Sequence, residues 1–235
     1  RAAALRERAP FGPLSVALVL AVTYIPALLQ VFTPDADISR VTPGQLITGP
    51  TVYALCAFGA IAVSVAYGTL DVRKAFGLAA CPAPKALCTG ALLGIAALPP
   101  IFLLALIMEY ASSACGFDAP QQEVFALFDD PSLPVSVKAF LIGSTVLLAP
   151  IYEECLFRGI LFSAVLRPGQ RFSAALLLCG LAFALIHLHP VFLLPLLLLS
   201  VFLCLGYLST GSILTPIAMH AVFNAANLLF WCAQT

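Results

Sequence analysis

From Phe172 to its end the chain carries no Asp, Glu, Lys or Arg. An uncharged stretch of that length can be accommodated almost entirely inside lipid. The rest of the chain is of the same kind: 62% of all residues are hydrophobic and 9% charged, against roughly 45–50% and 25% in soluble domains. Because about 20 apolar residues in a helix cross the hydrocarbon core, the expected fold is all-α, a polytopic bundle of membrane helices in an integral, multi-pass membrane protein. In a prokaryote this would be the cytoplasmic membrane.

Apolar runs of about that length recur at 14–32, 47–69, 87–108, 135–166, 172–188, 191–208 and 213–231. They predict seven transmembrane helices, or eight within the error of the count. The fourth run would be ~48 Å long as a helix, more than the ~30 Å core, so it must tilt, bend or protrude. Pro150 lacks a backbone donor and predicts a kink just ahead of Glu153. The interval 109–134 holds five acidic residues and no basic one. Within it, Val124, Phe125, Leu127 and Phe128 have the spacing of a short amphipathic helix lying in the interface. Lys and Arg cluster before the first run, between the second and third, and after the fourth, which puts the N-terminus in the cytoplasm by the positive-inside rule. The chain begins at Arg1 rather than methionine, which leaves room for residues ahead of it. No cleavable signal is expected, since the first run is long enough to span.

Other classes are disfavoured by composition. A formal net charge of zero gives no electrostatic case for nucleic acid. The eight cysteines form no CxxC pair and no Cys/His cluster, so they read as small buried hydrophobes.

Against this apolar background, Ala149-Pro150-Ile151-Tyr152-Glu153-Glu154-Cys155-Leu156-Phe157-Arg158-Gly159 stands out. Ionisable groups at such depth cost several kcal/mol and are functional-site candidates by default. Glu154 and Arg158 are one helical turn apart and can pair, whereas Glu153 points about 100° away. One carboxylate is neutralised locally; the other needs a partner from elsewhere. A buried ion pair that only fixes helix packing would leave Glu153 unexplained.

The other deep polar residues are His187, and His220 with Asn224 one turn further on. About the turn at Gly169, Glu153 and His187 lie ~24–27 Å along antiparallel helices, and His220 and Asn224 lie ~12–18 Å into the last span, so three helices can converge. Singly, such residues are often a satisfied interfacial histidine or an interhelical hydrogen bond. Together they supply what peptide hydrolysis needs. A carboxylate and an imidazole can hold and deprotonate a water, while an imidazole and a carboxamide can donate to the developing oxyanion.

Glu153-Glu154 with Arg158 (EExxxR), Phe183 with His187 (FxxxH), and His220 with Asn224 (HxxxN) resemble the three ordered motifs of the CPBP family, also called ABI, of intramembrane CAAX-processing endopeptidases. The resemblance covers Glu153 to Asn224 and implies a glutamate-dependent protease mechanism. By that resemblance Glu153 and His187 would activate the water, Glu154 and Arg158 would support Glu153, and His220 with Asn224 would form the oxyanion hole. No cofactor is implied. The chain would be one membrane domain, with helices 1–3 and the interfacial segment over 1–134 and the catalytic helices 4–7 over 135–235. The expected partners are a peptide or protein substrate, lipidated or not, and the bilayer.

Three other readings compete. Glu153, His187 and His220 could be ligands of a zinc protease, although there is no HExxH helix and Asn224 would lack a role. The cluster could instead bind peptide without turnover, as in bacteriocin-immunity proteins of the same family. A transporter is disfavoured because no internal repeat is visible.

Overall fold

The computed structural model describes residues 11–32, 42–68, 71–117, 128, 130–166 and 171–233. Among them there are helices and turns but no strand. In lipid a helix is the natural state of such segments, because it satisfies its own backbone polar groups. The helices are α1 (Pro13–Phe32), α2 (Pro43–Tyr67), a short α3 (Val72–Ala75), α4 (Ala83–Ala114), α5 (Val135–Val165), α6 (Phe172–Leu185), α7 (Leu193–Thr210) and α8 (Leu214–Cys232). α2, α4, α5 and α7 are both long and apolar enough to cross a membrane, and Pro13–Leu29 and Phe172–Leu185 are shorter apolar helices. α8 has the length, but its His and Asn residues dilute its apolar character. The protein is an integral, multi-pass helical bundle. The interfacial helix expected over 120–130 lies outside the described residues, apart from Phe128 and Asp130.

Local sequence explains the ends that matter. Thr42 caps α2: its side chain accepts from the Gln45 N–H and the Gln45 side chain returns to the Thr42 N–H, which satisfies two otherwise orphaned donors. α6 stops short of the expected end. Pro190 disfavours the α conformation at His189, and Leu188 takes the left-handed region at φ 53°, a conformation uncommon for a residue with a Cβ. His187 therefore sits in the last, tightened turn, where its N–H reaches the Ala184 carbonyl.

α5 is the axis of the bundle. It is α-helical at both ends and over Ala149–Glu154, but widens to π-helical turns over Ser144–Leu148 and Cys155–Phe162. The first widened turn falls where Pro150 would otherwise crowd a carbonyl one turn back, so the distortion expected from Pro150 takes this form. Every residue from Leu156 to Phe162 is buried. α1, α6, α7 and α8 all pack on α5. Tyr24 of α1 reaches across to the Ala182 carbonyl of α6 at 2.8 Å.

The most extensive helix pairing joins α4 to α8. Gly90 and Gly94 make it possible, since small residues let membrane helices approach closely. A Cβ on Gly90 would run into the Thr215 carbonyl and lie 2.8 Å from Ala218 Cβ, and one on Gly94 would lie 3.1 Å from Met219 Cα. Thr215 adds a hydrogen bond to the Ala86 carbonyl at 3.1 Å. α4 is thus packed directly on the helix that carries His220 and Asn224.

Candidate active site

The Glu154–Arg158 pair forms as the i,i+4 spacing predicts. Arg158 Nη1 donates to Glu154 Oε1 at 2.9 Å, and both side chains are fully buried. The guanidinium is also held from two other helices. Nη2 donates to Ser200 Oγ of α7 at 2.7 Å, and the guanidinium lies 4.5 Å from the ring centroid of Phe183 of α6. A buried cation needs such company, because each unmet N–H would keep its full desolvation penalty.

Glu154 Oε1 also accepts from His220 Nδ1 of α8 at 2.8 Å. That contact fixes the ring and turns Nε2 toward Glu153, whose Oε2 is 3.9 Å away. The distance is too long for a hydrogen bond, and Glu153 Oε2 has no hydrogen-bond partner among the described residues. The two adjacent carboxylates are therefore unequal, as their helical angles imply. Outside its own helix, Glu154 makes its contact with His220.

His187 Nδ1 lies 2.8 Å from the Phe183 carbonyl. A carbonyl can only accept, so Nδ1 carries the proton, and in the neutral ring Nε2 keeps its lone pair. Phe183 is the meeting point of the three motifs. Its ring also packs 4.8 Å from the His187 ring and edge-on, at 5.7 Å, against His220. Asn224 Nδ2 donates to the Thr145 carbonyl of α5 at 2.8 Å.

Glu153, His187, His220 and Asn224 line one cavity of ≈210 Å³. Apolar side chains, among them Leu196, Leu199, Phe223 and Leu228, form most of its remaining wall, and Asn227 and Thr145 add polar groups. Glu154 and Arg158 do not line it; they brace the wall from behind. Among the described residues, no group of three or more His, Cys, Asp or Glu side chains is arranged to hold a metal ion, so Glu153, His187 and His220 share a cavity without forming a ligand set.

Sequence reasoning did not single out Ser200, Thr145 or the hub role of Phe183. A lone serine or threonine in an apolar span is ordinary, and only the fold reveals what its oxygen faces.

Comparison with known families matches residues 135–226 to the model described as Rce1-like: type II CAAX prenyl endopeptidase Rce1-like. The matched stretch is less than half of the chain. All three motifs fall inside the Rce1-like region, and the family is one of membrane-embedded CAAX proteases, in agreement with the resemblance seen in the sequence. Neither the curated proteins nor the solved structures contain a match to the chain.

Proposed function

We propose that the protein is an intramembrane endopeptidase that hydrolyses a peptide bond of a membrane-associated peptide or protein. Residues 135–235 form its catalytic part and residues 1–134 brace it. One observation carries the reading. Arg158 and His220 both hydrogen-bond Glu154, whereas Glu153 Oε2 accepts no hydrogen bond among the described residues, in a cavity that Glu153 shares with His187.

In the mechanism this supports, a water in the cavity gives a proton to Glu153, assisted by the His187 Nε2 lone pair, and attacks the scissile carbonyl. Negative charge develops on that carbonyl oxygen. His220 Nε2, when the ring carries its second proton, and the free N–H of the Asn224 carboxamide donate to it. The Glu154 carboxylate holds the His220 ring by its Nδ1, and Arg158 holds Glu154 in place in turn. Collapse of the tetrahedral adduct passes the proton from Glu153 to the leaving amine. The largely apolar cavity wall keeps bulk water out, which strengthens these interactions.

The test is cleavage by purified protein in liposomes. Membrane-anchored peptides, lipidated and unlipidated, are incubated with wild type and with His187→Ala, and the products are mapped by mass. Discrete internal cuts by wild type, absent in His187→Ala, are expected. Peptide binding without any cut would favour a binding or immunity protein.

A further inference from the structure

The bond from Asn224 to α5 raises a question of backbone chemistry. A mid-helix carbonyl is normally engaged by its own helix, from the N–H four residues on. Thr145 nevertheless accepts from the Asn224 side chain at 2.8 Å. The local register explains why that carbonyl is open. In the widened turn Ser144–Leu148, the Ala149 N–H goes to the Ser144 carbonyl, five residues back, and so bypasses Thr145. In the same register the next donor, that of residue 150, would reach Thr145. Residue 150 is proline and has no N–H to give.

Resting on the reading of Asn224 as an oxyanion donor, the geometry points to Pro150 as a positioning residue of the active site, which keeps the Thr145 carbonyl open as the anchor that aims the Asn224 carboxamide. A carboxamide nitrogen has two N–H groups in a fixed plane. With one spent on Thr145, the direction of the other is set, and Asn224 lines the cavity beside Thr145 and Glu153. The proline therefore acts at a distance. It touches no reacting atom, and its contribution is a missing proton donor.

The consequence of restoring that donor is specific. Pro150→Ala gives the helix an N–H that can return it to regular register and reclaim the carbonyls of this turn. Asn224 then loses its anchor and its second N–H is no longer aimed. An ordinary interhelical hydrogen bond would predict a different outcome, a loss of stability with turnover unchanged.

The experiment is single-turnover cleavage by the full chain in liposomes, using a peptide that wild type cuts, with substrate binding and detergent melting temperature measured alongside. Removing an oxyanion donor costs about 10² to 10³ in rate, and that is the expectation for Asn224→Ala. Pro150→Ala should lose about 10-fold or more of the same effect, with binding unchanged. The double variant Pro150→Ala with Asn224→Ala should be no slower than Asn224→Ala alone, since both remove one interaction. A chain with lactic acid at 150, which has the alanine side chain but an ester oxygen in place of the N–H, should recover a rate within a few-fold of wild type.

Each contrary result overturns the assignment. Pro150→Ala as fast as wild type, losses that multiply in the double variant, or a lactic acid chain as slow as Pro150→Ala would show that Pro150 does not act through the open carbonyl. Asn224→Ala with full activity would instead remove the oxyanion reading itself, and the role of Pro150 with it.

Discussion

Glu153 and Glu154 are neighbours in the chain but differ in company. Glu154 is fully buried and accepts from both Arg158 and His220, whereas Glu153 faces the cavity. They should fail differently. Glu154→Gln leaves Arg158 buried beside a neutral amide, and truncating one member of such a pair costs about 3 to 5 kcal/mol. Its melting temperature in detergent should fall well below that of Glu153→Gln. Adding Arg158→Gln to Glu154→Gln should recover part of the loss, because the uncompensated cation is gone. A double variant less stable than Glu154→Gln would mean that Arg158 is held by Ser200 and Phe183 regardless of Glu154. At this scale much was legible beforehand. The i,i+4 spacing gave the Glu154–Arg158 pair, and the pair left Glu153 over. The link from Glu154 to His220 was not legible, because it depends on how α8 is rotated against α5.

Among the elements, α4 shows how a helix without a family motif can serve the site. Its glycines let it lie against α8 so closely that a Cβ on Gly94 would come within 3.1 Å of Val222 Cβ. Gly90→Ala should therefore push apart two backbones, with a loss of about 1 to 3 kcal/mol from overpacking and reduced cleavage, since His220 and Asn224 move with α8. Gly59→Ala in α2, where nothing lies within 4 Å of the added Cβ, is the matched control and should be neutral in both assays. Equal behaviour of the two variants would contradict a bracing role for α4. The run of α4 was plain in the sequence, but its partner was not, because hydrophobicity fixes that a helix is in the membrane and not which neighbour it meets. The π-helical turns of α5 were likewise hidden. Pro150 announced a distortion there, yet whether a helix kinks or widens depends on what packs around it.

For the whole molecule, the charge distribution predicts which face is outside. With the N-terminus in the cytoplasm by the positive-inside rule, a cysteine introduced between 118 and 130, in a chain whose native cysteines have been replaced, should react with an impermeant thiol reagent added to intact cells. Labelling only after lysis would reverse the orientation. The order of the apolar helices was readable because runs of about one bilayer thickness leave few alternatives, and among the described residues four of them are long and apolar enough to span. The account as a whole rests on Glu153 as the proton acceptor, and Glu153→Gln tests this most directly by keeping the shape and removing the basic oxygen. In single-turnover cleavage of a membrane-anchored peptide, that variant should fold, insert and bind like wild type yet lose nearly all turnover; a Glu153→Gln protein that cuts at the wild-type rate would contradict the mechanism.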